Sequence, residues 1–157
     1  MKYSAGLLMY RRIGDSVEVF LVHPGGPFFK KKEEGYWSIP KGLVDEDEAD
    51  LDAARREFEE ETSIPVIAGQ AFLDLGEIRQ KGGKRVRAWA FEGEADVEKI
   101  RSNSFEMEWP PRSGRRQSFP EIDRGAWFDI KTARTMIIEA QRSFLDRLCA
   151  MLAEPSA

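Results

Sequence analysis

Between Gly42 and Ile64 the chain reads GLVDEDEADLDAARREFEEETSI, and three carboxylates in this stretch could do chemistry together. An α-helix repeats every 3.6 residues, so Glu57 lies one turn before Glu60 and Glu61, and the three gather on one side of a helix that spans them. Such a face repels itself, by about a few tenths of a kcal/mol per like-charged pair. Water, a basic partner or divalent cations must offset the repulsion. The plain alternative is a solvated charged face. Leu51, Ala54 and Phe58 recur at helical spacing and form the stripe expected to be buried.

The spacing around these carboxylates is more specific than a charge run. Gly42 is followed by five residues, Glu48, seven residues, Arg56-Glu57, apolar Phe58, one residue, Glu60-Glu61, two residues and apolar Ile64. Six fixed residue types, each at a background frequency of about one in ten, coincide in one register on the order of once in a million times. The stretch resembles the signature box of the Nudix hydrolases, G-x5-E-x7-R-E-U-x-E-E-x-G-U with U aliphatic. The resemblance implies that Glu57, Glu60 and Glu61 hold magnesium, with manganese as a possible substitute, and that Glu48 pairs with Arg56 to position the helix and Glu57. It also implies an α/β/α sandwich, a mixed sheet between helices, that cleaves nucleoside diphosphates linked to another group.

Two residues depart from the box. Phe58 replaces an aliphatic residue and should change only packing. Ser63 replaces the closing glycine; if that position ends the helix in a left-handed conformation, a side chain costs about 1 kcal/mol there. Pro65 stops the helix soon afterwards in any case. The expectation is an altered helix exit and an intact carboxylate face.

A diphosphate linkage repels an incoming hydroxide, so its cleavage needs cations to neutralise the oxygens and generate a nucleophile from water. Magnesium suits this, because it prefers oxygen ligands and is usually shared between carboxylates and substrate phosphates. One of the box glutamates, or Glu106, Glu108 or Glu121, would accept the proton of the attacking water. Lys41, in the WSIPKG segment just before the box, is placed to meet phosphate.

The elements that must carry these residues follow from periodicity. Residues 3–12 and 17–23 read as strands joined at Gly14-Asp15, and 69–80 and 84–92 as strands joined by the turn Lys81-Gly82-Gly83-Lys84. Lys81, Lys84 and Arg85, with Arg79 and Arg87, surround that turn with donors, either as solvated surface charge or for phosphate contact. His23 is weighed as a ligand contact at a strand end against a structural hydrogen-bonded role. The loop 24–35 carries Lys30, Lys31 and Lys32, either as solvated charge or for phosphate. Residues 94–102 read as a short helix, and 103–120, with its Pro-Pro pair, as an extended functional loop. Ala126-Trp127-Phe128 is a last short strand, 130–139 and 141–153 are helices, and the tail from Glu154 is frayed. Tyr3, Phe28, Phe29, Trp89 and Trp109 are candidates for stacking on a base or for packing.

At 157 residues the chain fits one domain, 1–157, and its 41% hydrophobic and 33% charged residues suit a globular core. A net charge of -4 argues against a surface that coats nucleic acid. One cysteine, Cys149, excludes an intrachain disulfide and reads as helix packing; one histidine makes histidine metal clusters and a Ser/His/Asp triad poor explanations. Ala5 to Tyr10 is too short to span a membrane and lacks the flanks of a signal peptide, which favours the cytoplasm. SAGLLMYRR, WSIPKG and FPEIDRGAWF look most like the diadenosine polyphosphate hydrolases within the family. The favoured expectation is therefore magnesium-dependent hydrolysis of a dinucleoside polyphosphate such as diadenosine tetraphosphate. The alternatives are pyrophosphate removal from nucleoside triphosphates or RNA 5′ ends, and a noncatalytic nucleotide-sensing domain.

Overall fold

Strand β1 (Ser4–Ile13) organises the sheet, because three strands pair with it. One edge runs parallel to β5 (Arg85–Glu92) from Ser4 to Tyr10. The other edge is divided: β2 (Ser16–Pro24) pairs with residues 10–13, and the three-residue β3 (Lys41–Leu43) pairs with residues 4–6. At the fork, the Leu7 amide donates to the Pro40 carbonyl and Val22 bridges to Ser38. The chain before β3 is thereby wedged between two diverging strands. β4 (Leu73–Arg79) and β8 (Ile122–Asp129) complete the mixed sheet, in the order β4-β5-β1-β2-β8. These relationships come from a computed structural model that describes residues 2–67 and 69–153; the tail from Glu154 lies outside them.

Alternation along β1 sends its side chains to two cores. Ala5, Leu7 and Met9 meet Ala53, Ala54 and Phe58 of α1 (Asp50–Thr62), together with Phe20, Trp89 and Phe91. Leu8 and Tyr10 meet Phe144, Leu145 and Leu148 of α3 (Arg142–Ala153) and Ala133 of α2 (Ile130–Met136). The sandwich of helices on both sides of a mixed sheet is the expected architecture. No helix among the described residues is long and apolar enough to cross a membrane.

Several expectations need correction. Residues 103–120 are not a loop: β6 (Ser104–Glu108) and β7 (Arg116–Pro120) form an antiparallel hairpin. Phe105 and Met107 alternate with exposed Glu106 and Glu108, a period of two that the Pro-Pro pair obscured because it sits in the turn. The short helix in 94–102 shrinks to one 3-10 turn, Val97–Lys99, capped by Asp96. The strand expected from residue 69 begins only at Leu73, and β8 reaches well beyond 126–128. Helix α2 stops at Met136, because Ile137 turns extended to bridge Trp37, and so Ile137 and Ile138 lie outside it. Gly42, the first residue of the box, lies in β3. Cys149 is only half-buried.

Candidate functional site

Helix α1 is fixed in rotation by Phe58, fully buried and edge-on to Phe20 at 6.3 Å and Phe91 at 5.4 Å. With Phe58 held inward, Glu57 and Glu61 face β3. A Cβ on Gly42 would lie 2.1 Å from the Glu57 carboxylate carbon, so the carboxylate rests directly against the glycine backbone. On the preceding residue, the Lys41 amide donates to Glu61 Oε1 at 3.3 Å. Two carboxylates are thus set on consecutive residues of one short strand.

Arg56 ties this arrangement together. Its Nε and one terminal nitrogen donate to the two oxygens of Glu48, both at 2.9 Å, and its other nitrogen donates to Glu57 Oε1 at 2.7 Å. It also reaches Glu60 at 3.3 Å and the Leu43 carbonyl at 3.1 Å. A planar fork suits such a multiple engagement, which a lysine would not reproduce. The Arg56 guanidinium holds Glu48 down to about 2, well below the usual carboxylate range. Glu60 stands at the rim, 42% exposed.

Burial dominates the electrostatics of the inner pair. It pushes Glu61 up to about 8, with the charges of Glu57 and Glu121 adding to the effect. Burial also raises Glu57 above its usual value, against the opposing pull of Arg56. Lys41 moves the other way, its ammonium disfavoured first by burial, although Glu61 opposes the change. Excess negative charge on oxygen donors in a partly desolvated place is what a hard divalent cation relieves. Among the described residues no three carboxylate, histidine or cysteine side chains are grouped so as to hold a metal ion by themselves. Magnesium needs no such group, since it keeps waters and takes ligands from substrate phosphates. The donor set therefore fits such an ion.

Lys41 and Glu61 form the polar end of a cleft of about 280 Å³ whose walls include Phe29, Tyr36, Ile39, Ile122 and Ile138. An apolar cavity with a few convergent polar groups is the usual form of a small-ligand site.

A family model described as NUDIX domain matches residues 2–148. The chain belongs to the Nudix family. An RNA pyrophosphohydrolase of Bartonella henselae is 30% identical over 119 residues, 68% of this chain and 64% of that protein. A second RNA pyrophosphohydrolase, from Rhizobium meliloti, is 28% identical over 127 residues, 73% of this chain and 71% of that protein. Thus the chain spans about two thirds of the relatives it matches. Among solved structures, a C. elegans Ap4A hydrolase binary complex shares the fold with a TM-score of 0.69 at 22% identity, covering 96% of this chain and 98% of that one.

At the close of the Nudix box the carboxylate face is intact, as expected. Ser63 adopts the left-handed conformation, φ 63°, its amide donates to the Glu59 carbonyl at 2.8 Å, and its hydroxyl donates to the Arg101 carbonyl at 2.6 Å. Neither Glu60 nor Glu61 is turned into the core.

Outside the box the candidates separate. Glu121 comes near Glu57 and Glu61, close enough for its charge to raise both. Glu108 instead accepts the amides of Arg112 and Gly114 in the β6–β7 turn, and Glu106 lies 3.8 Å from Arg116. Lys84 is felt electrostatically at Lys41. Lys81 borders a separate hollow with Ile138, Glu139 and Ala140. Arg85 lies elsewhere, over the Tyr3 ring and paired with Glu77, because successive residues of β5 face opposite sides. His23 is fully buried, its ring nitrogens against the Asp123 carboxylate and the Lys32 carbonyl, a structural setting that leaves neither nitrogen for a ligand. Trp37 is buried in the core.

Sequence reasoning missed Gln141. Fully buried, it accepts from the Ile39 amide at 3.0 Å and donates to Ser38 Oγ and Gln80 Oε1, both at 2.9 Å. It thereby holds the segment leading into Lys41. Its partners are remote in the chain, so no local pattern could have revealed it.

Proposed function

We propose that this chain is a magnesium-dependent pyrophosphohydrolase that cleaves a phosphoanhydride at the 5′ end of RNA. The observation that supports it is the setting of Glu57 and Glu61 against Gly42 and Lys41, with Lys41 and Glu61 at the polar end of an apolar cleft of about 280 Å³. Glu57, Glu60 and Glu61 would hold the cation, which when bound neutralises phosphate oxygens and lowers the proton affinity of the attacking water. Arg56 and Glu48 keep Glu57 in place, and Lys41 meets the phosphate chain. A box carboxylate or Glu121 accepts the water's proton. Attack at phosphorus breaks one P–O–P bond, and a 5′-monophosphate and pyrophosphate are the products from a triphosphate end.

RNA is favoured because both sequence relatives are RNA pyrophosphohydrolases. A dinucleoside polyphosphate, the expectation from the sequence, is the second reading, in accord with the Ap4A hydrolase that shares the fold. A cytoplasmic location belongs to the same proposal.

Product analysis in oxygen-18 water with magnesium, comparing 5′-triphosphorylated RNA, diadenosine tetraphosphate and a nucleoside triphosphate, tests this. Preferred turnover of RNA that Glu61→Gln abolishes is the expected result. Preference for the dinucleotide moves the assignment to the second reading. Turnover of none, or indifference to Glu61→Gln, defeats both and returns the noncatalytic reading.

A further inference from the structure

The β6–β7 hairpin contributes little to either core, yet its turn is tightly built. Glu108 accepts two turn amides, the Trp109 amide donates to the Arg115 carbonyl at 2.9 Å, and Gln117 Nε2 donates to the Trp109 carbonyl at 2.9 Å. Arg112 sits in the left-handed region at φ 62°, uncommon for a residue with a side chain. A hairpin that is ordered but not buried presents a surface.

That surface is aromatic and basic. Phe28, 61% exposed, meets the Trp109 ring edge-on at 5.4 Å. A shallow cleft beside them is lined by Lys30, Trp109 and Gln117, with one carboxylate, Asp123, which is engaged by His23. Lys30, Lys31, Lys32, Arg112 and Arg115 make no ion pair among the described residues, in a chain whose net charge is -4. The location links this face to the cleft above Glu61: the stretch from Pro24 to Lys30 borders both, Pro24 and Phe29 on one side and Gly26, Pro27 and Lys30 on the other. Gly25 and Gly26 make the junction possible, since a Cβ at Gly25 would lie 1.9 Å from the Pro120 carbonyl oxygen and one at Gly26 2.9 Å from the Phe105 ring.

We infer that the Phe28–Trp109 face, with Lys30, Arg112 and Arg115, binds the single-stranded RNA chain that follows the 5′ nucleotide held in the cleft. Flat rings stack on bases of any identity, and unpaired cations follow the phosphates between them. Charge complementarity selects this occupant, because Lys30, Arg112 and Arg115, which make no ion pair among the described residues, would oppose an apolar or basic one. The inference rests on the RNA reading of the site and adds where the chain leaves it.

Two measurements separate this inference from that reading. The first is fluorescence anisotropy of a labelled single-stranded oligoribonucleotide with a 5′ hydroxyl, which needs no hydrolysis. Wild type should bind it with salt-sensitive affinity; Trp109→Ala and, separately, the double variant Lys30→Gln/Arg115→Gln should each weaken binding about tenfold. The second is kcat/KM for triphosphorylated substrates of one, two, three and six nucleotides. Wild type should gain with length through KM, and both variants should lose that gain. Because the substituted side chains are at the surface, an unchanged circular dichroism spectrum is expected. No oligonucleotide binding by wild type, or equal binding by all three proteins, overturns the inference even if RNA ends are hydrolysed. Binding lost in the variants supports it even if no RNA is hydrolysed, in which case only the reading of the reaction fails.

Discussion

The carboxylate of Glu57 occupies the space that a Cβ on Gly42 would fill, 2.1 Å from where that atom would lie. Gly42 has an ordinary strand conformation, so its role in the box is one of close approach and not of turning the chain. Gly42→Ala should displace Glu57 from β3 and cost about 1–3 kcal/mol as overpacking. Thermal denaturation would report the stability loss, and hydrolysis should fall more steeply than the folded fraction. Full activity in the alanine variant would show that Glu57 is free to sit elsewhere.

Arg56 engages Glu48 through two parallel hydrogen bonds while a third nitrogen reaches Glu57. Arg56→Lys keeps the charge and loses the fork. Loss of this kind of supporting contact costs about 10–100-fold in metal affinity or activity. Titration with magnesium should therefore require higher concentrations for the variant, and parity with wild type would contradict a positioning role.

Glu61 binds its proton more tightly in the folded chain than in the unfolded one, since burial raises its value to about 8 from an ordinary 4.5. The folded state then holds more protons between those limits, so in chelator stability should decline as pH rises from about 4.5 to 8, and the penalty is complete above that. Magnesium should recover the loss at the alkaline end. Denaturant melts of wild type and Glu61→Gln across this range, with and without magnesium, give the comparison: the glutamine variant should lose most of the slope. A slope unchanged by the substitution assigns it to other groups.

Gln141→Leu removes the acceptor of the Ile39 amide inside the core and the link from Ser38 to Gln80. An unsatisfied buried donor costs about 1–3 kcal/mol. The melting temperature should fall, and KM should rise because the strand leading to Lys41 loosens. A drop in stability with KM unchanged would confine Gln141 to the fold.

The box was legible because helical spacing and charge act locally: Phe58 on one face and Glu57 and Glu61 on another follow from residue order alone. Ser63 was legible too, since the left-handed exit is a local requirement that serine meets with a hydrogen bond to the Arg101 carbonyl. What escaped was long-range. The alternation in Ser104–Glu108 becomes a strand only when Arg116–Pro120 folds back on it. His23 looked available until Asp123 and Lys32 were brought to its two nitrogens. The cations around Gly82 and Gly83 read as one cluster, whereas the pleat sends Arg85 towards Tyr3 and Glu77.

The divided edge of β1 separates what must stay constant from what is free to vary. Below the fork, β3 and α1 are locked to the sheet by ladder pairs, the Gly42 contact and the Arg56 fork. Above it, residues 24–37 leave the sheet, packing Gly25 against Pro120 and Trp37 into the core before rejoining at Ser38, and this crossing supplies Phe29 and Tyr36 to the cleft. A longer or shorter crossing would resize the cleft without moving a carboxylate. Changes of length in this one loop should therefore alter which substrates fit, while the carboxylate helix, locked to β3, should accept scarcely any.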